Sequence, residues 1–225
     1  YTSLESAAKC LKAKSIKLGA QNMCWEDQGQ FTGEVSPLML NELNIDIIEI
    51  GHSERRHVFG ETDAEINKKV LAALKHGFTA LLCIGETEEQ KRYGVSDECL
   101  RMQLKTGLYG VMEKETDRLW VAYEPVWAIG VNGIPASPEY ADSKQAVIKS
   151  VLKEMFGEFA ERIPVLYGGS VNSQNARYLI SMPSIDGLFI RRSAWDAQNF
   201  RQIIDDVLPV FWAKKNNRGI WQGEI

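Results

Sequence analysis

The stretch Ile45-Asp-Ile-Ile-Glu-Ile-Gly-His-Ser-Glu-Arg-Arg56 changes character twice. Residues 45–50 are an aliphatic run that reads as a strand, and residues 53–56 begin a short helical turn. Between them, at the strand's carboxyl end, stand Gly51 and His52. The same order of events recurs along the chain. Further strands are expected over 16–22, 79–84, 119–123, 163–167 and 187–190. They run into Gln21-Asn22, Gly85-Glu86, Glu124-Pro125, Gly168-Gly169-Ser170 and Arg191-Arg192-Ser193. Amphipathic helices are expected at 4–13, 38–43, 64–76, 87–93, 96–114, 138–156, 173–181 and 200–213. Gly77 supplies the left-handed stop after the helix 64–76.

Apolar strands alternating with amphipathic helices make six βα units and imply a parallel sheet covered by helices. Two closures fit this order, an open doubly wound sheet and a (β/α)8 barrel. Neither a GxGxxG nor a P-loop motif supports the open, nucleotide-binding form. Polar groups gathered at the carboxyl ends of successive strands are the barrel arrangement. With no composition break, residues 1–225 are expected to form one barrel domain comprising βα units three to eight. An eight-stranded barrel takes about 250 residues, so two strands and a helix are expected to precede Tyr1 in a complete protein.

Composition excludes several functional classes. The chain carries 26 basic and 30 acidic side chains, a net charge of −4, and shows no basic stripe for nucleic acid. Apolar runs such as Ala80–Ile84 fall far short of the roughly 20 residues that cross a bilayer. Four cysteines without CxxC spacing and only three histidines argue against a zinc site or a disulfide framework. No metal or cofactor is expected. The chain opens with no signal peptide, and the cysteines fit the reducing cytoplasm. The tail beyond Pro209, with its lysines and Arg218, reads as a solvated end, with Trp221 packing back on the barrel.

Three groups could do chemistry. His52, at a helix start, feels the positive end of the dipole and is held neutral; alone, it could equally be bonded into a turn. Glu124 ends a buried strand, where partial desolvation makes a carboxylate a usable base. The competing reading pairs it with Arg55, Arg56 or Arg118. A base and a neutral imidazole from different strands suit proton abstraction beside a carbonyl. Gly168-Gly169-Ser170 would turn backbone N–H groups towards an anion such as phosphate, or form a tight turn. Arg191 and Arg192, after the last strand, are anion ligands on the same argument.

Together, Gly29-Gln-Phe-Thr-Gly-Glu34, Gly51-His-Ser-Glu-Arg-Arg56, Cys83-Ile-Gly-Glu86, Ala122-Tyr-Glu-Pro-Val-Trp-Ala-Ile-Gly130 and Tyr167-Gly-Gly-Ser-Val171 strongly resemble the triosephosphate isomerase family. The resemblance implies a TIM barrel with Glu124 as base, His52 as electrophile and Glu54 in support. It implies a lid over 128–132 hinged at 125–127 and 133–137, and phosphate held by Gly130, Ser170 and the backbone at Arg191 and Arg192. It also implies a homodimer joined through the loop from Trp25 to Thr32. Gln21–Gly29, Asn132–Ser137 and Arg192-Ser-Ala-Trp195 look more like the tetrulose-phosphate branch, which interconverts L-erythrulose 1-phosphate and D-erythrulose 4-phosphate in erythritol catabolism. Triosephosphate isomerase itself, in glycolysis and gluconeogenesis, is the alternative; a non-catalytic phosphate binder is another. In both branches position 191 is expected to be Gly, and an Arg there could crowd the phosphate nest. The family's first strand also carries an Asn and a Lys that reach the substrate, and nothing before Tyr1 supplies them.

Overall fold

The computed structural model describes residues 1–11, 16–129 and 133–217. Its sheet has six parallel strands, each beside its predecessor in the chain. They are β1 (Gly19–Ala20), β2 (Ile47–Ile50), β3 (Thr79–Ile84), β4 (Leu119–Tyr123), β5 (Val165–Tyr167) and β6 (Gly187–Leu188). The register runs through Gly19 beside Ile47, Ile50 beside Leu82, Ile84 beside Tyr123, and Tyr167 beside Leu188. Helices α1 (Leu4–Leu11), α2 (Pro37–Glu42), α3 (Ser53–His57), α4 (Asp63–Lys75), α5 (Glu88–Arg92), α6 (Ser96–Gly107), α7 (Pro138–Phe156), α8 (Ala176–Ser181) and α9 (Ala197–Asn217) complete the units.

Period-two alternation sorts the strand residues onto two faces. Ile48, Ile50, Ala80, Leu82, Ile84, Val121, Tyr123, Val165 and Tyr167 belong to a large apolar cluster shared with the helices. The opposite face is a smaller cluster of Leu81, Cys83 and Ala122, flanked by Ile47, Trp120, Leu166 and Phe189. The same parity puts Glu49, Glu124, Gly168 and Arg191 on that smaller, inner face. β3 is buried on both faces, as a central parallel strand should be.

The two ends of the sheet differ. At the amino ends, acids close backbone groups: Asp46 accepts the Leu18 N–H at 2.7 Å, and Asp186 accepts the Val165 N–H at 3.0 Å. At the carboxyl ends, the half-buried Arg56 ties two strands together, donating to the carbonyls of Gly51 (2.6 Å) and Cys83 (3.0 Å) and pairing with Asp63. Close approach there also requires a glycine. A Cβ on Gly85 would lie 1.9 Å from the carbonyl oxygen of Glu124.

Several boundaries differ from the expectation: the strands expected over 16–22, 45–50, 163–167 and 187–190 shorten to Gly19–Ala20, Ile47–Ile50, Val165–Tyr167 and Gly187–Leu188, and the helix expected from 173 starts at Ala176. The helix expected over 96–114 stops at Gly107, after which Gly110 takes a positive φ of 82° and residues Glu113–Arg118 wind a 3-10 turn. The last helix begins earlier than expected and continues past Pro209 to Asn217. Lys214, expected in a solvated end, instead donates to the carbonyls of Ile180, Met182 and Ile185, capping the end of α8. Residues 12 and 13 of the first expected helix, and Trp221, lie outside the described residues.

Replacing Gly85 by Ala forces β3 away from β4 just where Glu124 leaves its strand. We expect a loss of about 3 kcal/mol or more of stability, read as a lower urea midpoint with unchanged slope.

Candidate active site

His52 and Glu124 leave the carboxyl ends of β2 and β4, the strands on either side of β3, and meet. His52 Nε2 lies 3.2 Å from Glu124 Oε1, a close approach that is not aligned as a hydrogen bond. Both are buried, at 4% and 1% exposure. His52 is the residue before α3, and its Nδ1 accepts the Glu54 N–H at 3.2 Å. An accepting Nδ1 carries no proton, so the neutral ring bears its hydrogen on Nε2, facing the carboxylate. Burial, with Arg191 adding, lowers the His52 pKa to about 4. At neutral pH this imidazole is a hydrogen-bond donor without charge.

Glu124 shows the opposite shift. Burial pushes its pKa up to about 8, Arg191 opposes that, and the nearby Glu49 carboxylate adds to it. None of its competing partners from the sequence reaches it: Arg56 pairs with Asp63, Arg55 with Glu61, and Arg118 lies near Gly77. The cation that does reach Glu124 is Arg191, with one guanidinium nitrogen 3.2 Å from Oε1 and another 3.3 Å from Glu54 Oε1. Glu54 is thus joined to Glu124 through Arg191, and its carboxylate is exposed.

A cavity of about 670 Å³ opens over this face, lined among others by Glu54, Gly169, Ser170, Arg191, Arg192 and Ser193. The loops forming it are tied to each other. Asn175 Nδ2 donates to the Ser170 carbonyl at 2.7 Å, and Ser193 Oγ to the Val171 carbonyl at 2.7 Å. Of the expected phosphate residues, Gly169, Ser170, Arg191 and Arg192 face the cavity. Gly168 does not offer its N–H, which is bonded to the Tyr123 carbonyl at 2.8 Å. Its contribution is space, since a Cβ there would lie 2.8 Å from Glu124 Cγ. Gly130 and the lid residues 131–132 lie outside the described residues.

Two acids carry weight that sequence reading did not assign. Glu49, half-buried on the inner face, lines the same cavity, and burial pushes its pKa up to about 7. An acid inside an otherwise aliphatic parallel strand was the available signal. Glu86 is fully buried, and its Oε1 accepts from Tyr123 Oη (3.1 Å), Trp127 Nε1 (2.9 Å) and Tyr140 Oη (2.9 Å). Its carbonyl also accepts the Val126 N–H at 2.9 Å. One acid therefore joins β4, the segment Val126–Ala128 after Glu124, and the first turn of α7.

A base whose folded pKa is lowered contributes stability that is present above its ordinary value near 6.5 and is lost as pH falls towards 4. We expect the native chain to lose about 2 kcal/mol more than His52→Gln between pH 7 and pH 4.5, read from urea midpoints.

The family model described as Triosephosphate isomerase matches residues 1–207. The L-erythrulose-1-phosphate isomerase of Rhizobium meliloti (strain 1021) is 49% identical over 209 residues, covering 92% of this chain and 80% of that protein. The enzyme of the same name from Brucella abortus biovar 1 (strain 9-941) is 48% identical over 205 residues, 91% of this chain and 79% of that protein. A crystal structure of triosephosphate isomerase from Bartonella henselae superposes with a TM-score of 0.83 at 36% identity, covering 91% of this chain and 83% of that one. The six strands are those of a (β/α)8 TIM barrel, and the chain belongs to the triosephosphate isomerase family.

Proposed function

We propose that this protein is a sugar-phosphate isomerase that moves a carbonyl between adjacent carbons, with L-erythrulose 1-phosphate and D-erythrulose 4-phosphate as its substrate pair. The observation that carries the reading is the close approach of a buried, raised-pKa carboxylate, Glu124, to a neutral imidazole, His52, beside a cavity of about 670 Å³ lined by their chain neighbours Ser53, Glu54 and Val126 and by Gly169, Ser170 and Arg191. The tetrulose substrate is supported by relatives of that name at 48–49% identity, against 36% for the triosephosphate isomerase structure.

Each group has a role matched to its state. The carboxylate form of Glu124 takes the proton from carbon 3, and the electron pair moves towards the carbonyl oxygen on carbon 2. His52 Nε2–H donates to that oxygen and stabilises the enediolate without supplying a full charge. A proton passes between the two oxygens, and Glu124 returns its proton to carbon 2, leaving the carbonyl on carbon 3. Ser170, Gly169, Arg191 and Arg192 hold the phosphate, with Gly130 joining from the lid, and Glu54 supports His52 and Arg191. No cofactor takes part in this sequence of proton transfers.

The chain reads as one domain over 1–225, supported by a single large apolar cluster running from Ala20 to Ile203. It acts as a homodimer through the loop from Trp25 to Thr32, supported by exposed apolar groups beside that loop, Phe31, Val58 and Phe59. A cytoplasmic location fits four unpaired cysteines, three of them buried. No helix among the described residues is long and apolar enough to cross a membrane.

Shortening the base in Glu124→Asp is expected to cut kcat at least about a hundredfold, with fold and phosphate affinity retained. Unchanged turnover would remove Glu124 from the mechanism. Side-by-side assays should give a larger kcat/KM for L-erythrulose 1-phosphate than for glyceraldehyde 3-phosphate; the reverse order would assign the triose reaction instead. Phe59→Asp should shift sedimentation equilibrium from dimer to monomer, and a monomeric native chain would refute the dimer.

A further inference from the structure

In the empty site Glu124 is restrained as a base. Its Oε1 is taken by Arg191, 3.2 Å away, and approached by His52. Its Oε2 is sealed from solvent and has no hydrogen-bond partner. The oxygen nearest the cavity lining is thus occupied by Arg191, and the unpaired one is enclosed.

Arg191 is a loose occupant of that position. Its contacts to Glu124 and Glu54, at 3.2 and 3.3 Å, go to two different carboxylates. Both exceed the 2.7–2.9 Å expected of a good charge-assisted bond, and neither forms a two-point fork. The side chain is one-third exposed and lines the cavity together with Gly169 and Ser170. A phosphate held by that loop would present two or three oxygens to a guanidinium already facing it, and Arg binds phosphate in the bidentate geometry it lacks here.

We propose that Arg191 is a substrate-operated guard on the base: it occupies Glu124 in the empty site and transfers to the substrate phosphate on binding, which frees the carboxylate beside the reacting carbon. The proposal deepens the functional reading above and rests on Glu124 being the base. The exchange moves no covalent bond. It removes the one cation that favours the ionised form of Glu124 and leaves the groups around it otherwise unchanged. Those groups are Glu49, His52 and Glu54 from β2 and the turn after it, and Cys83 from β3. Glu124 therefore becomes more basic at the moment substrate arrives. The same step resolves the crowding expected from Arg at 191, because the side chain becomes part of the phosphate site.

The test compares the full chain with Arg191→Gln and Arg191→Lys. The acid limb of kcat/KM reports the empty enzyme and that of kcat the complex. In R191Q the limb of kcat/KM should move to higher pH, because the empty site has lost its cation, while the limb of kcat stays in place. Inorganic phosphate should bind R191Q about tenfold or more weakly, with R191K intermediate. If both limbs move together, or R191Q binds phosphate as the native chain does, the exchange is refuted. If the native chain turns over neither sugar phosphate, the functional reading fails separately, and carboxyl ¹³C titration of Glu124 decides the exchange. Native and R191Q proteins should then differ in Glu124 pKa without phosphate and converge when phosphate saturates both; a difference that persists would overturn it.

Discussion

The site depends on the placing of one carboxylate where water cannot reach it. Glu124 follows the last residue of β4, so alternation turns it to the inner face. The space for it exists only because Gly85 and Gly168 have no side chains on either side. Desolvation then raises its pKa, the main reason it can accept a proton from carbon at neutral pH. The same enclosure lowers the pKa of His52, so one physical condition prepares both groups in opposite directions. A wetter site would give an ordinary ion pair of carboxylate and imidazolium, poorly suited to the chemistry.

A buried acid of this kind needs neighbours that hold it without neutralising it. Arg56 fixes the strand ends from behind by bonding main-chain carbonyls and Asp63, so its charge is spent away from Glu124. Glu86 takes three donors on one oxygen and sets the start of the segment that follows Glu124. Stiffness below and around the base contrasts with the weakly held Arg191 above it, and the contrast locates where movement can occur.

Much of this was legible in the sequence because it depends on short-range rules. Strand ends marked by Gly51-His52, Gly85-Glu86 and Gly168-Gly169 pointed to the side of the sheet that carries chemistry, and a carboxylate ending a buried strand marked Glu124 as the base. Boundaries failed where a single glycine outweighed helical periodicity, as at Gly107 and Gly110. Lys214 read as surface charge because nothing local shows that α9 passes the end of α8. The partner of Glu124 was likewise hidden. Sequence separation does not single it out: Arg191 is 67 residues away, about as far as Arg55 and Arg56, and it reaches Glu124 only through the fold.

The acids Asp46 and Asp186 at the amino ends of the strands close main-chain donors and face none of the cavity residues. Stability and chemistry are thus anchored at opposite poles of the sheet. A lineage with this layout can exchange residues around the cavity, as at position 191, while the far pole keeps the strands in register. Such a separation lets one scaffold diverge in what it converts without relearning how to fold.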